Sequence, residues 1–354
     1  MVISLVFLFL TAIILSLYEE RFRKKDKVLL YICMGVLMIF IAGLREPGST
    51  PDSETYEDMY YGKYAKVLEA VTEPSFLFIS DILNSLSLPV MALFFTYAII
   101  SVTIHLGAFW KMSRIPLTTL LIYISYYYMM HDMVQIRAGV ASSLFIWAMY
   151  FYAERKKWVC LAFIIGGTLF HYSAITGLVI FLLSDELKKW HKYILYALIP
   201  VGLVAYFAGL DISYLVPENM GGDKLVHYRE LKDSGLENDQ AGWQLNVNLS
   251  IWMNFVLFYA CIYYHDYLKE YCKYITIAIK VQAVGFCCLF FLHGVSAILG
   301  NRLNDYFSVA AIILWTCSVY GFVPRIAGKI VNIFICTVRF VLSMLMYALS
   351  LLFM

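Results

Sequence analysis

Four small groups of arginines, histidines, carboxylates and amides interrupt a chain that is otherwise strongly apolar. Each group lies near the end of an apolar segment, and the groups are Arg45 with Asp52 and Tyr56; His131, Asp132 and Arg137; His171 with Ser173; and Asn301, Arg302, Asn304 and Asp305. An ionisable side chain in or beside a membrane segment costs about 2.5–3.5 kcal/mol, so such residues usually face a cavity and carry function. The three arginines predict an anionic ligand, because the planar guanidinium suits bidentate contact with phosphate.

Each of these residues also has a purely structural interpretation. Arg45 closes an apolar segment and could extend to the lipid headgroups. Arg137 opens the sequence Arg-Ala-Gly-Val-Ala, whose small residues favour close helix packing. A cation at a helix N-terminus opposes the helix dipole, so Arg137 needs a ligand or a carboxylate such as Asp132. Arg302 fits anchoring and ligand binding equally, and His171 could be a core histidine bonded to a carbonyl group.

The segments that must position these side chains are long and apolar. Hydrophobic residues make up 62% of the 354 residues and charged residues only 15%, which excludes an ordinary soluble domain. A spanning helix needs about 20 mostly apolar residues. Ten runs fit or approach that length: 1–18, 28–44, 89–110, 115–130, 138–153, 193–209, 244–264, 274–299, 304–321 and 330–353. The sequence therefore predicts an all-α, polytopic integral membrane protein that forms one domain over residues 1–354.

The charges of the loops predict the orientation of these helices. Basic residues concentrate in six short loops: 21–27, 111–114, 155–157, 188–192, 269–273 and 325–329. These loops hold 17 of the 27 lysines and arginines, and the positive-inside rule places them in the cytoplasm. The loops 45–75 and 210–243 are rich in acid and are predicted to lie outside, with both chain termini.

Three segments depart from simple alternation. Residues 73–88 combine helical apolar spacing with polar residues, which predicts an amphipathic helix at the outer interface. Residues 158–183 lie between two basic loops, which predicts a broken hairpin, loosened at Gly166-Gly167, with His171-Tyr172-Ser173 at its tip. The outer loop 210–243, with His227 and Arg229, is either a lid or a solvated connector. Arg339 falls near the middle of a span and requires a partner that the sequence does not identify.

The order and spacing of the polar groups match a known pattern. The matching elements are Arg45 with Asp52 seven residues later and Tyr56 after that; Arg137-Ala-Gly-Val-Ala141; Phe170-His171-Tyr172-Ser173-Ala174; and Asn301-Arg302 followed by Tyr306-Phe307. Together they resemble the EpsG-like branch of the bacterial polysaccharide polymerases, the Wzy group. The resemblance covers roughly residues 28 to 320, and loop 210–243 matches no part of it.

The resemblance implies a glycosyltransferase of the GT-C kind that acts on the outer leaflet of the bacterial inner membrane. Such enzymes transfer a growing glycan from undecaprenyl pyrophosphate to the sugar of another lipid-linked repeat unit. Under this interpretation Arg45, Arg137 and Arg302 bind the pyrophosphate and stabilise its developing charge. His171 is the expected general base, with Asp52 and Asp132 as reserves for that role.

Other expectations concern the glycan and the partners. Weaker candidates for sugar contacts are Tyr56, His131, Asn301, Tyr306, His227 and Arg229. No metal or cofactor is expected, because the acids of Asp52-Ser53-Glu54 lie in an acidic loop and the chain has no nucleotide-binding glycine pattern. The expected partners are the lipid-linked oligosaccharide, the bilayer and, from the resembled pathway, a chain-length regulator; no nucleic acid is expected.

Three other functions compete with polymerisation. A ligase that moves a finished glycan to another acceptor would recognise the same donor through the same arginines. A flippase for lipid-linked oligosaccharides predicts polar residues in both leaflets and an internal repeat, and this sequence has neither feature. An outer-leaflet acyltransferase has the least support.

Overall fold

Helices form all the regular structure in the part of the chain that the computed structural model describes, residues 1–63, 72–210, 249–293 and 296–352. The α-helices are α1 (Val2–Tyr18), α2 (Lys24–Gly43), α3 (Ser53–Tyr60), α4 (Pro74–Ser85), α5 (Val90–Met112), α6 (Pro116–Ile122), α7 (Ile136–Ala153), α8 (Lys157–Phe170), α9 (Lys189–Phe207), α10 (Leu249–Tyr263), α11 (His265–Leu268), α12 (Ile275–Phe291), α13 (Ala297–Ser308), α14 (Ala310–Ser318) and α15 (Arg325–Leu352). Two π-helical segments, Tyr123–Tyr127 and Met129–Val134, continue α6, and a 3₁₀ helix, Tyr172–Leu182, follows α8. The predicted loop with His227 and Arg229 lies outside the described residues.

Among the residues that the structure describes, five helices are long and apolar enough to cross a membrane: Val2–Arg21, Lys24–Gly43, Val90–Met112, Ile136–Ala153 and Arg325–Met346. They coincide with five of the ten predicted runs, so the all-helical fold is confirmed and is consistent with a membrane protein. Three further runs coincide with the shorter apolar helices Leu249–Tyr263, Ile275–Phe291 and Ala310–Gly321. The number of ten spans stays a prediction.

The six basic loops meet at one end of the helix bundle, the basic end, where contacts link each loop to another. These contacts are Lys329 to Glu20 at 3.4 Å, Arg114 to the Glu270 carbonyl at 3.2 Å, Arg155 to Asp185 at 3.2 Å, Lys192 to Asp266 at 2.9 Å, Lys273 to Glu154 at 2.7 Å, and Glu19 to the Leu117 N–H at 2.9 Å. The grouping inferred from loop charge is therefore confirmed. The opposite end, the site end, carries Arg45, Arg137 and His171, because α2, α7 and α8 each have their other terminus at the basic end.

The predicted broken hairpin is present. His171 is extended, with φ −154° and ψ 115°, and separates α8 from the 3₁₀ helix that returns. The 14 residues of α8 rise about 21 Å and the 11 residues of the 3₁₀ helix about 22 Å, so both arms end at the same level. The Tyr152 hydroxyl donates to the Leu183 carbonyl, which holds the second arm at the basic end.

The position of the break differs from the prediction. Gly166 and Gly167 both remain inside α8, which ends three residues after Gly167. A Cβ on Gly167 would lie 3.4 Å from Ala174 Cβ and 3.5 Å from the Ala141 carbonyl oxygen, which is ordinary van der Waals contact. Gly167 therefore lies where the two arms and α7 pack together, and it does not loosen the helix.

The segment predicted as an amphipathic helix forms α4, which is slightly shorter than residues 73–88. Phe76 and Ser80 are buried against the protein, whereas Phe78 and Ile82 are exposed. Pro74 occupies the first turn, and a residue before proline is disfavoured in the helical region, so Glu73 is extended with φ −67° and ψ 142°. This geometry carries the Glu73 side chain away from the axis of α4 and into the protein.

The sequence predicted a partner for Arg339, and the structure shows that three aromatic rings surround its guanidinium. Its guanidinium carbon lies 4.8 Å from the ring centroid of Tyr126, 5.1 Å from that of Tyr127 and 5.7 Å from that of Trp315. Ring faces attract cations, and the attraction is strongest where water is excluded. Arg339 is 1% exposed, so this cage replaces its hydration inside the bundle.

The orientation can be tested by labelling introduced cysteines in a background that lacks Cys33, which is exposed. Lys25 at the basic end and Tyr61 at the site end are both exposed. A membrane-impermeant maleimide should label Tyr61→Cys in intact cells and should label Lys25→Cys only after permeabilisation. Labelling of Lys25→Cys in intact cells would reverse the orientation.

Candidate active site

A fully buried carboxylate, Glu73, joins two of the predicted residues at the site end. Its Oε1 lies 3.0 Å from His171 Nδ1 and also accepts a hydrogen bond from the Tyr172 N–H at 3.4 Å. Its Oε2 accepts a hydrogen bond from the guanidinium of Arg137. A buried carboxylate is tolerable only with good geometry and several donors, and these contacts provide both.

Three separate elements bring these groups together. Glu73 precedes α4, Arg137 lies in the first turn of α7, and His171 is the tip of the hairpin. The first turn of α7 approaches the preceding π-helical segment so closely that a Cβ on Gly139 would lie 2.2 Å from the His131 carbonyl oxygen. The small-residue sequence after Arg137 therefore allows close packing, and Arg137 itself is free of the carboxylate that was expected to be its partner, Asp132.

Two aromatic rings fix the face of the Arg137 guanidinium. Its central carbon lies 5.4 Å from the ring centroid of Tyr56 and 5.6 Å from that of Phe76. Both rings are buried, Tyr56 on α3 and Phe76 on α4. Cation–π contact and the Glu73 hydrogen bond together hold the guanidinium plane in one orientation. Tyr56, which was predicted to contact the sugar, thus packs against Arg137, which was predicted to bind the pyrophosphate.

The charges of the three predicted arginines all act on the carboxylate of Asp52. Asp52 precedes α3 and is partly buried. Burial raises its pKa above the ordinary range, and the charges of Arg302, Arg137 and Arg45 oppose that rise. Arginines from three distant parts of the sequence therefore contribute to one local field of positive charge.

The two outlying arginines differ in exposure. Arg45 is buried, donates to the Ala42 carbonyl at 2.6 Å and lies 4.1 Å from the ring centroid of Phe94. It therefore does not extend to a surface position. Arg302 lies on α13 and is exposed. The cluster of arginines thus reaches from the protein interior to its surface.

Asp132 lies apart from this cluster and does not contact Arg137. It is 2% exposed, and its Oδ2 accepts a hydrogen bond from the Tyr123 hydroxyl. That hydroxyl is also 2.9 Å from Nδ1 of His105 on α5. The expected pairing of Asp132 with Arg137 is therefore wrong, because the π-helical segment around Asp132 directs its side chain toward α5.

The weaker sugar candidates occupy different places. The ring of His131 is fully buried and stacks on Tyr127 with centroids 6.2 Å apart. Tyr306 is buried, and its hydroxyl donates to the Ala174 carbonyl of the hairpin at 3.3 Å. Asn301 lies beside Arg302 on α13 and is partly exposed. Of these three residues, Asn301 has the position best suited to contact a ligand from outside.

The sequence model of the EpsG family matches residues 28–353, which is nearly the whole chain. The chain belongs to the EpsG family. This is a Wzy-like family of polysaccharide polymerases, so the resemblance inferred from the polar groups is confirmed. No curated protein and no solved structure matches the chain.

The structure joins Arg137 and His171 to a residue that the sequence analysis did not select, Glu73. Glu73 was treated only as the start of an amphipathic helix. The sequence did show that Glu73 is followed by a proline that begins an apolar helix. A carboxylate at a helix N-terminus is stabilised by the helix dipole, so Glu73 there needs no other partner to explain it. That general explanation gave no reason to place this carboxylate next to Arg137 and His171.

Removing the carboxylate should destabilise the site end. Glu73→Gln keeps the size but leaves the partly buried Arg137 charge without its carboxylate, so the free energy of unfolding should fall by about 3 kcal/mol. Thermal unfolding of the purified protein in detergent checks this loss. Asp81→Asn on the exposed side of α4 is the matched control and should leave the free energy of unfolding unchanged.

A double-mutant cycle separates the ion pair from general damage to α4. If Glu73 and Arg137 act together, Glu73→Gln and Arg137→Gln should cost much less in combination than the sum of the two. Additive losses would show that the pair contributes no specific energy.

Proposed function

We propose that this chain polymerises lipid-linked oligosaccharide repeat units on the outer leaflet of the bacterial inner membrane. The observation that carries the proposal is the Glu73 carboxylate, which holds Arg137 and His171 next to each other at the site end. The donor is an undecaprenyl-pyrophosphate-linked glycan, and the acceptor is a sugar hydroxyl of another lipid-linked unit. Family membership supports the polymerase class.

In this proposal the arginine cluster binds the donor pyrophosphate. Arg302 is exposed and Arg137 is partly exposed, with 20% of its side chain accessible, so an anion arriving from the site end meets these two first. Arg45 is buried and adds to the same field from inside. Fixed guanidinium groups stabilise charge that develops on the leaving group and need little rearrangement during the reaction.

His171 is proposed as the general base. An ionised carboxylate only accepts hydrogen bonds, so the contact with Glu73 assigns the proton to Nδ1 and leaves Nε2 as the basic nitrogen. Nε2 takes the proton of the acceptor hydroxyl while the oxygen of that hydroxyl forms a bond to the anomeric carbon of the donor glycan. The bond from that carbon to the pyrophosphate oxygen breaks, and the lipid pyrophosphate leaves with the electron pair. Glu73 stabilises the imidazolium that forms.

The two reserve carboxylates are proposed for different roles. Asp52 is partly exposed and lies within the field of all three arginines, which suits an alternative base or a group that orients the arginines. Asp132 is buried and bonded to Tyr123, which suits a positioning role between α5 and the π-helical segment.

A ligase would use the same donor groups, so a genetic readout is needed to separate the two functions. In a deletion strain, loss of a polymerase leaves single lipid-linked repeat units, whereas loss of a ligase leaves full-length unligated chains. Polymerase loss is the outcome we expect. A flippase is less well supported, since the proposed ligand residues gather at the site end.

His171→Ala should reduce chain extension by about 10²–10⁴-fold, the usual contribution of a positioned proton acceptor. The length distribution of lipid-linked glycans in a complemented deletion strain measures this effect. His191→Ala is the matched control, because His191 lies in the first turn of α9 at the basic end, and this variant should polymerise normally. Near-normal polymer from His171→Ala, at equal expression, would exclude the proposed base.

Arg137→Lys and Arg302→Lys keep the charge and lose the planar fork, so each should lower activity by about 10²-fold. Arg155→Lys at the basic end is the control and should have no effect, because its ion pair with Asp185 is exposed. If both variants at the site end polymerise normally, these arginines anchor the protein at the lipid headgroups and do not bind the pyrophosphate.

A further inference from the structure

A cavity at the basic end, unrelated to the proposed active site, is lined by cations and aromatic rings. It has a volume of about 380 Å³ and lies where the loop before α2 meets the turn between α5 and α6. Lys24, Lys27 and Arg114 supply three positive charges, and Phe22 and Trp110 supply the largest apolar surfaces. Of the residues that the structure describes, no carboxylate lines it.

The positive charge of this cavity is only partly balanced by acids. Some cations of the basic end lie against a carboxylate, as with Lys273 and Glu154 at 2.7 Å or Lys192 and Asp266 at 2.9 Å. Within the described ranges of the chain, Lys24 forms no ion pair with a carboxylate.

The other two cations are only partly satisfied by their neighbours. Arg114 donates to the carbonyl of Glu270 at 3.2 Å, which uses one of its five N–H groups and neutralises no charge. Lys27 lies 3.8 Å from Glu19, whose two oxygens also accept from Leu117 and Thr118. The cavity therefore keeps an excess of positive charge.

The two aromatic residues of the cavity lie at the ends of two predicted spans. Trp110 lies in the last turn of α5 and Phe22 precedes α2, and both rings are partly buried. Partly exposed aromatic residues at the ends of spanning helices lie at the level of the lipid headgroups. Cations next to such rings match a ligand with an anionic head and an apolar tail.

We propose that this cavity binds the phosphate of an anionic phospholipid, with Lys24 and Arg114 as its principal ligands. A basic pocket between spanning helices is a known arrangement for anionic headgroups. A zwitterionic lipid fits poorly, because no acid lines the cavity to pair with its ammonium group. Bound lipid joins α2 to the turn between α5 and α6, so it stabilises the folded protein.

The test measures lipid binding by native mass spectrometry and thermal unfolding of the purified full chain in neutral detergent. The probes are phosphatidylglycerol, phosphatidylcholine and inorganic phosphate. Phosphatidylglycerol should bind and raise the unfolding temperature, and the other two should not. Lys24→Gln and Arg114→Gln should each weaken phosphatidylglycerol about fivefold, and together about 25-fold.

Lys25→Gln is the matched control, because Lys25 is exposed in the same first turn of α2 and does not line the cavity. It should retain full affinity, and the charge-conserving pair Lys24→Arg with Arg114→Lys should retain most of it even if the glutamine variants fold poorly. Equal losses in Lys25→Gln and Lys24→Gln would mean a diffuse surface field and overturn the site. Equal binding of phosphatidylcholine, or binding of inorganic phosphate alone, would overturn the anionic lipid as ligand.

Discussion

A buried carboxylate must be surrounded by positive charge or by hydrogen-bond donors. At the site end the buried carboxylate is that of Glu73, and the neighbouring elements are arranged around it. The residue lies before α4, yet its two oxygens bind the first turn of α7 and the tip of the hairpin. One carboxylate thus holds together three elements that are far apart in sequence. Removing one partner of such a buried ion pair costs roughly 3–5 kcal/mol of folding free energy. The aromatic rings around Arg137 exclude water and strengthen the same contacts. Stability and the proposed chemistry therefore depend on one interaction.

Much of the architecture was predictable, because a bilayer imposes simple rules on length and charge. The apolar runs gave the helices, and the loops with Arg155 or Lys273 were correctly grouped at one end. The hairpin followed from the same rule, because a segment between two basic loops must return. The exact winding did not follow: Gly167 was expected to loosen α8 and instead packs it closely against Ala174. A glycine permits both outcomes, and only the neighbouring elements decide between them.

The candidate site was predictable in its residue types and less so in its pairings. Arg137 and His171 were selected because ionisable groups near membrane segments need a reason to be there, and they do lie together. Their shared partner was missed, since Glu73 has an ordinary explanation at a helix start. Asp132 was assigned to Arg137 on sequence proximity, yet the intervening π-helical segment turns it toward Tyr123. Pairing depends on rotation about a helix axis, and a local change from α to π winding alters that rotation in a way that sequence spacing does not reveal.

The winding of the returning hairpin arm sets the height at which the proposed base sits. In a 3₁₀ helix every third side chain falls on one line, and Ala174, Gly177 and Ile180 form such a line against the protein core. Wound as an α-helix, the same 11 residues would rise only about 16.5 Å, about 5.5 Å less than they do. The arm could then not span the distance between Tyr152 at one end and Glu73 at the other. Ala174, Gly177 and Ile180 would no longer lie in one straight row. The arm thus behaves as a spacer whose pitch, rather than its residue count, determines whether histidine and carboxylate can meet.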